Sequence, residues 1–152
     1  MTEVRFYHFT KQSYEEILPV MLERVISRDR KRAVVKVSSE DMLDHLNAHL
    51  WVFSDRSFLP HGTKKEGSPE IQPIWLTNDD ENPNNADILF LIDGCSSDKI
   101  DEYEMVCLLI NGRDNDSLTA GRKSWSLYKE QGHQINYWQQ SDKGTWEIKD
   151  IQ

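Results

Sequence analysis

ILFLI, at residues 88–92, is the stretch that decides the fold class of this 152-residue chain. A short run without a polar residue is typical of a central strand covered on both faces, as in parallel sheets. Two β-branched and aromatic runs precede it, VRFYHF at residues 4–9 and AVVKV at residues 33–37, and each predicts a strand. We therefore expect residues 88–92 to lie inside a sheet whose other strands come from both sides of them.

Helical patterns separate these strands. Residues 14–26 carry apolar side chains at helical spacing after Ser13, which fits a capping box with Glu16. Pro19 falls inside this pattern and is expected to shorten or kink the helix. A second helix is predicted after Ser38 or Ser39, either of which could cap it. The predicted core-facing residues of this second helix are Met42, Leu43, Leu46 and Leu50.

The second half of the chain continues the alternation. We predict strands at residues 74–76 and 134–138, a helix at 117–131 that Gly132 ends, and an edge strand within 145–151. Residues 104–110 fit a strand by length, but with 99–103 they also fit a helix. The whole pattern predicts one α/β domain over residues 1–152, with a mixed, mostly parallel sheet flanked by helices, Rossmann-like but without a nucleotide motif.

Charge and cysteine content restrict the function classes. The formal net charge of −8 and the pI near 5.1 argue against direct, non-specific binding to nucleic acid, although a local basic patch stays possible. Cys95 and Cys107 form no CxxC pair, and there is no signal peptide and no apolar run of membrane-spanning length. We expect a cytoplasmic protein with reduced thiols and no membrane partner.

Motifs for catalysis or cofactor binding are incomplete. ILFLID ends in Asp93 like a Walker B strand, but TKQSYEE at residues 10–16 lacks the glycines of a phosphate-binding loop. His45 and His49 could share a helix face, yet no third ligand has metal-site spacing, so we expect solvated histidines. The prediction is no cofactor, no metal and no catalytic residue. The alternative is a degenerate nucleotide-binding or hydrolase-like α/β enzyme with its site near Asp93.

The segment LWVFSDRSFLPHG, at residues 50–62, is rich in aromatic residues although Pro60 excludes a continuous helix. Trp51 and Phe58 are residue types that anchor protein–protein interfaces. Their presence indicates either a docking surface or aromatic side chains that cap the core. His61 is more plausibly a residue that orients the segment through ring hydrogen bonds than a catalytic one.

The last predicted helix carries a local positive charge in an acidic protein. Arg122, Trp125 and Lys129 are three and four residues apart and therefore share a face. Guanidinium and indole groups together suit an acidic peptide with an apolar end. The alternative is that Trp125 belongs to the core and that the cations form a solvated edge. The candidate residues of this surface are Arg122, Lys123, Trp125, Tyr128 and Lys129.

Several irregular motifs occur in an order that resembles the chi subunit of bacterial DNA polymerase III holoenzyme. They are VRFYHF, LW followed by SFLPHG, IQPIWLT, ENPN, ILFLIDG and GHQINYWQQ, and they run nearly from end to end. The resemblance implies a strand at residues 104–110. It also implies a non-catalytic adaptor of the clamp-loader assembly, with the polymerase's nucleotidyltransferase activity in other subunits.

The resemblance implies two partners. Its match places Trp51, Phe58, Leu59 and His61 in or beside the site for the psi subunit or a competing helicase partner. Arg122 matches the family's arginine for the acidic C-terminal tail of single-stranded DNA-binding protein, Trp125 an aromatic contact and Lys129 a positive charge. Ser126 departs from the family, since a lysine is common there. We expect the tail to bind these residues without direct binding to nucleic acid.

Overall fold

The computed structural model describes residues 2–53, 59–92 and 94–149. The described residues form an eight-stranded sheet whose spatial order is β3-β4-β2-β5-β6-β1-β7-β8. The strands are β1 Glu3–Phe9, β2 Ala33–Lys36, β3 His61–Gly62, β4 Ile74–Thr77, β5 Ile88–Leu91, β6 Met105–Asn111, β7 Gln134–Gln140 and β8 Trp146–Lys149. The α-helices are α1 Tyr14–Glu23, α2 Glu40–Val52 and α3 Asn115–Glu130.

All neighbouring strands are parallel except β7 and β8, which pair antiparallel. Every residue of β5 is buried, as its apolar run predicts for a strand covered on both faces. Residues 105–111 form a strand, so the favoured alternative for that segment is confirmed. The predicted α/β class with a mixed, mostly parallel sheet is confirmed as well.

Helices cover both faces of the sheet. On one face, residues of α1 and α2, such as Leu18 and Leu46, pack in a core cluster with Phe9 and Phe90. On the other face, Tyr128 of α3 packs in a second cluster with Phe6 and other strand residues. The sheet therefore separates α3 from α1 and α2, and surfaces on α3 lie on the opposite side of the sheet from the first two helices.

Helix α1 differs from the prediction at its start. Ser13 is the N-cap residue, but its hydroxyl donates to the Glu16 carboxylate (3.2 Å) and makes no bond to the backbone of the helix. The prediction of a reciprocal capping box at the start of α1 is therefore wrong.

Pro19 lies inside α1, and the helix continues through it. Proline lacks the N–H that would donate to the carbonyl of Glu15 four residues earlier. His49 of α2 donates from Nε2 to this carbonyl oxygen at 2.7 Å. A side chain of the neighbouring helix thus supplies the missing donor, which links α1 to α2.

Helix α2 begins as predicted, because the Ser39 hydroxyl accepts a hydrogen bond from the Met42 N–H at 3.2 Å. Its buried residues are Leu43, Leu46 and Leu50. The helix continues to Val52, so Trp51 belongs to its last turn rather than to a loop.

Helix α3 lies close to the sheet because it has a glycine at the contact. A Cβ at Gly121 would stand 2.5 Å from Cδ1 of Ile110 on β6. The buried positions of α3 are Ser117, Gly121, Ser124 and Tyr128. Gly132 follows the helix with φ +86°, the left-handed conformation expected of a residue that ends a helix.

Neither a membrane-spanning helix nor a cluster of three or more potential metal ligands occurs among the described residues. His45 and His49 do share a face, but both contact Glu15, His45 through Nε2 to the carboxylate at 2.9 Å. The expectation of solvated histidines is therefore wrong for His49, which is half-buried, whereas His45 is exposed; both connect α2 to α1.

Candidate protein-binding surfaces

One side of α3 carries two exposed cations with a tryptophan between them. Arg122 and Lys129 are exposed, and Trp125 between them is half-buried against the core. The Lys129 ammonium lies 4.5 Å from the centroid of the Trp125 ring, within cation–π range. None of the ion pairs within residues 2–53, 59–92 and 94–149 involves Arg122 or Lys129. We call Arg122, Trp125 and Lys129 the α3 surface.

A cleft of about 410 Å³ lies on one side of the α3 surface. Its walls come from α3, through Leu118, Arg122 and Trp125, and from the sheet, where His8 of β1 and Tyr137 of β7 are among the lining residues. The interior is mainly apolar, and the guanidinium of Arg122 stands at its rim. Such a site can hold an apolar side chain while the arginine pairs with a carboxylate.

His8 and Tyr137 form the polar part of this cleft. The Nδ1 atom of His8 lies 2.8 Å from the Tyr137 hydroxyl. Burial lowers the pKa of His8, and the positive charge of Arg122 lowers it further. The imidazole is therefore neutral at pH 7, and Arg122 is the cation that the cleft offers to an anion.

A second cleft, of about 440 Å³, lies on the other side of Trp125. Lys129, Ile148 and Lys149 are among its lining residues, and the Ile148 side chain is exposed on β8. Trp125 thus separates two clefts, each with a cation beside it. The strand residues of both clefts were absent from the sequence prediction because only the sheet order brings them beside α3.

Two of the predicted tail-binding residues do not fit this surface. Tyr128 is 0% exposed, and its hydroxyl donates to the Ser97 carbonyl at 3.4 Å and accepts from the Ser97 N–H at 3.3 Å. The prediction of Tyr128 as a contact residue is wrong, because its side chain is buried against the sheet. Trp125, three residues earlier, is only half-buried. Lys123 is exposed but lines neither cleft.

The second candidate surface lies where α2 ends. Trp51 is 49% exposed, and its ring centroid is 4.5 Å from that of His61. Val52, beside it, is 75% exposed. A large apolar side chain with half its surface in water is available to a partner. Phe58 lies outside the described residues.

Leu59 and His61 are buried, at 2% and 4% exposure. The ring of His61 lies within hydrogen-bond distance of two carbonyl oxygens, with Nδ1 2.6 Å from Leu59 and Nε2 3.3 Å from Asn47. The family match placed both residues in or beside the psi site, and their burial leaves them beside it: Leu59 lies in the core, and His61 packs against Trp51 and joins its segment to α2. The prediction that His61 orients the segment through its ring is confirmed.

Comparison with known proteins gives the family of the chain. The family model for the DNA polymerase III chi subunit matches residues 1–136, which is most of the sequence. The chain belongs to the chi subunit family. The resemblance inferred from the sequence motifs is thereby confirmed, and the matched residues include all of α2 and α3.

A curated relative of this chi family member is the "Probable DNA polymerase III subunit chi" of Rickettsia prowazekii strain Madrid E. The two chains are 30% identical over 92 residues, which is 60% of this chain and 55% of the relative. The match thus spans just over half the length of that protein. Both comparisons therefore describe proteins that are subunits of DNA polymerase III.

The segment after β1 in this chi family member has no phosphate-binding loop, which a nucleotide-binding protein of this fold would use there. A phosphate would need the backbone N–H groups that follow β1. Those of Thr10 and Lys11 instead donate to the side-chain oxygen of Gln140, at 3.1 and 2.8 Å. Asp93 lies outside the described residues. Two of the backbone donors that a phosphate loop after β1 would use are therefore already bonded within the fold.

Proposed function

We propose that this chi family member is a non-catalytic adaptor of the clamp-loader assembly that connects the replicative polymerase to single-stranded DNA-binding protein. The observation that carries the proposal is the α3 surface, where Arg122 stands beside an apolar cleft in a chain of net charge −8. This combination suits the acidic C-terminal tail of that protein, because the cleft takes the terminal apolar residue and Arg122 pairs with a carboxylate.

The tail is expected to lie across Trp125. Arg122 and Lys129 are seven residues apart, about two helical turns, so an extended acidic peptide can reach both. The Lys129 ammonium already lies over the indole ring of Trp125, so its side chain needs little reordering to bind an anion. Ser126, exposed between them, adds no charge, so the interaction is expected to rest on Arg122.

Calorimetric titration with a peptide that ends in an acidic run and an apolar residue tests this site. We expect micromolar binding that weakens as salt rises, because exposed charges are screened. Arg122→Ala should weaken binding by about tenfold or more, since it removes a hydrogen bond between charged groups. Lys143→Ala, which removes an exposed cation from the turn before β8, is the matched control and should leave the affinity unchanged.

The outcomes separate the proposal from general charge attraction. A peptide without its terminal apolar residue should bind far more weakly if the cleft beside Arg122 holds that residue. Equal weakening by Arg122→Ala and Lys143→Ala would contradict a defined site on α3.

The exposed end of α2 is proposed as the surface for a psi-type subunit or a competing helicase partner. Trp51→Ala should weaken that complex by about tenfold or more, because a half-exposed tryptophan is an interface anchor. A pull-down with the purified partner measures the loss. Phe58→Ala belongs to the same prediction by the family match.

Ile148→Ala is the matched control for Trp51→Ala, since Ile148 is 59% exposed on β8 at the other edge of the sheet. Circular dichroism of both variants should equal that of the original protein. A loss of the folded signal in Trp51→Ala would instead make Trp51 a residue of the core.

A further inference from the structure

A third cleft lies on the opposite face of the sheet from α3. Its volume is about 280 Å³, and it is formed where β1, β7 and β8 meet the C-terminal end of α1. Apolar groups, among them Phe90 and Cys107, contribute to its walls. Its charged, tyrosine and tryptophan lining residues are Arg5, Tyr7, Arg24, Arg28, Asp29, Trp138 and Trp146. Neither of the two proposed protein-binding surfaces includes any of these residues.

Two of the arginines come from an unusual backbone segment. Residues Arg24–Arg28 continue α1 as a π-helical turn. Such turns are rare and cluster at functional sites, because their poorer geometry persists only where something compensates for it. This turn places Arg24 and Arg28 beside the same cleft.

The charge around the cleft is partly neutralised within the protein. The Arg5 guanidinium pairs with Glu3 at 2.8 Å, and Arg28 pairs with Asp29 at 3.0 Å. Arg24 takes part in none of the ion pairs that the described part of the chain forms. The rim therefore has an excess positive charge in a protein whose net charge is −8.

Trp138 contributes a hydrogen-bond donor without an acceptor. Its ring N–H is buried and has no hydrogen-bond partner among the described residues. A buried donor of this kind is costly to leave unpaired, and native proteins rarely do so without a reason. Trp138 lines the cleft, so an acceptor that reaches its N–H from there would satisfy it.

We propose that this cleft binds a nucleotide, with the base beside Trp138 and Trp146 and the phosphate near Arg24 and Arg28. A base supplies a flat body for the aromatic walls and ring-edge acceptors for the Trp138 N–H, while arginines are common phosphate ligands. An aliphatic side chain would leave the indole N–H unpaired. The nucleotide is either free or part of a single strand.

The acidic net charge restricts the size of this site. It opposes a broad phosphate-binding surface, and the three arginines are confined to one cleft. The site also differs from a phosphate loop after β1, because it is built from side chains and needs no backbone N–H groups. It goes beyond the adaptor function, since the α3 surface lies on the other face of the sheet.

Proton–nitrogen correlation NMR of the indole N–H groups tests the proposal on the whole chain. The probes are thymidine 5′-monophosphate and a short oligothymidine, with Trp138→Phe used to assign the Trp138 signal. We expect a saturable shift of that signal with the oligonucleotide, and with the mononucleotide as well if free nucleotides are the ligand.

Arg24→Gln should weaken binding by about tenfold, because the exposed arginine supplies a charged hydrogen bond to the phosphate. Lys99→Gln removes one exposed positive charge elsewhere and should have no effect. Trp138→Phe should weaken binding by about fivefold through loss of one donor. An unshifted Trp138 signal at millimolar probe, or equal effects of Arg24→Gln and Lys99→Gln, would overturn the proposal.

Discussion

The pKa of His8 should report whether an anion occupies the cleft beside Arg122. Its pKa is lowered by burial and by the charge of Arg122, so it is lower in the folded than in the unfolded chain. His8 therefore favours folding above its ordinary pKa, and this contribution is lost as the pH falls through the folded-state value. An anionic peptide paired with Arg122 should raise the pKa of His8, and by linkage the peptide should bind more tightly as the pH falls.

An NMR titration of the His8 ring proton measures this effect with and without the acidic peptide. Arg122→Ala should raise the pKa of His8 in the free protein, yet leave it below the ordinary value because burial remains. If Arg122→Ala leaves the pKa of His8 unchanged, the two groups do not interact and the proposed cleft loses its electrostatic basis.

Individual side chains were the hardest feature to predict from the sequence. Trp125 and Tyr128 are three residues apart on α3, yet one is half-buried beside the exposed cations and the other is fully buried. The buried stripe of α3 consists mostly of small residues, such as Gly121 and Ser124, because the helix lies close to β6. The helical spacing of these small residues indicates the buried face of α3, but a search for large apolar residues overlooks it.

One histidine, His49, supplies the hydrogen bond that Pro19 removes from α1. His49→Ala should lower the free energy of unfolding by about 1–3 kcal/mol, because the Glu15 carbonyl that Pro19 leaves without a helical partner would lose its donor. Urea denaturation measures this change. The control is His45→Ala, which removes an exposed contact to the Glu15 carboxylate and should cost about 0–1 kcal/mol.

Equal destabilisation by the two substitutions would contradict this account of Pro19. The double variant His49→Ala, Pro19→Ala provides a further check, since alanine restores the N–H that the helix lacks. It should be more stable than His49→Ala alone.

Elements with a strong local signal were predicted well, and elements defined by distant contacts were not. β5 and α2 follow from apolar runs and a serine cap. The two-residue strand β3 exists only because it pairs with β4, and no local pattern marks it. The π-helical turn after α1 has no local signal either, because residues 14–26 have the apolar spacing of an ordinary helix.

The two proposed protein-binding surfaces lie near opposite edges of the sheet. Trp51 contacts His61 on β3, whereas the α3 surface lies beside β1 and β7. Six strand spacings separate β3 from β7, which is about 30 Å. One rigid body can therefore hold two partners at once, and each contact raises the effective concentration of the other.

Binding to single-stranded DNA coated with its single-stranded DNA-binding protein tests the adaptor function most directly. Surface plasmon resonance compares a coat of the full-length protein with a coat that lacks the acidic C-terminal tail. We predict binding to the first coat, loss of most of that binding on the second, and the same loss with Arg122→Ala on the first. Equal binding to both coats, or no binding to either, would contradict the proposed function.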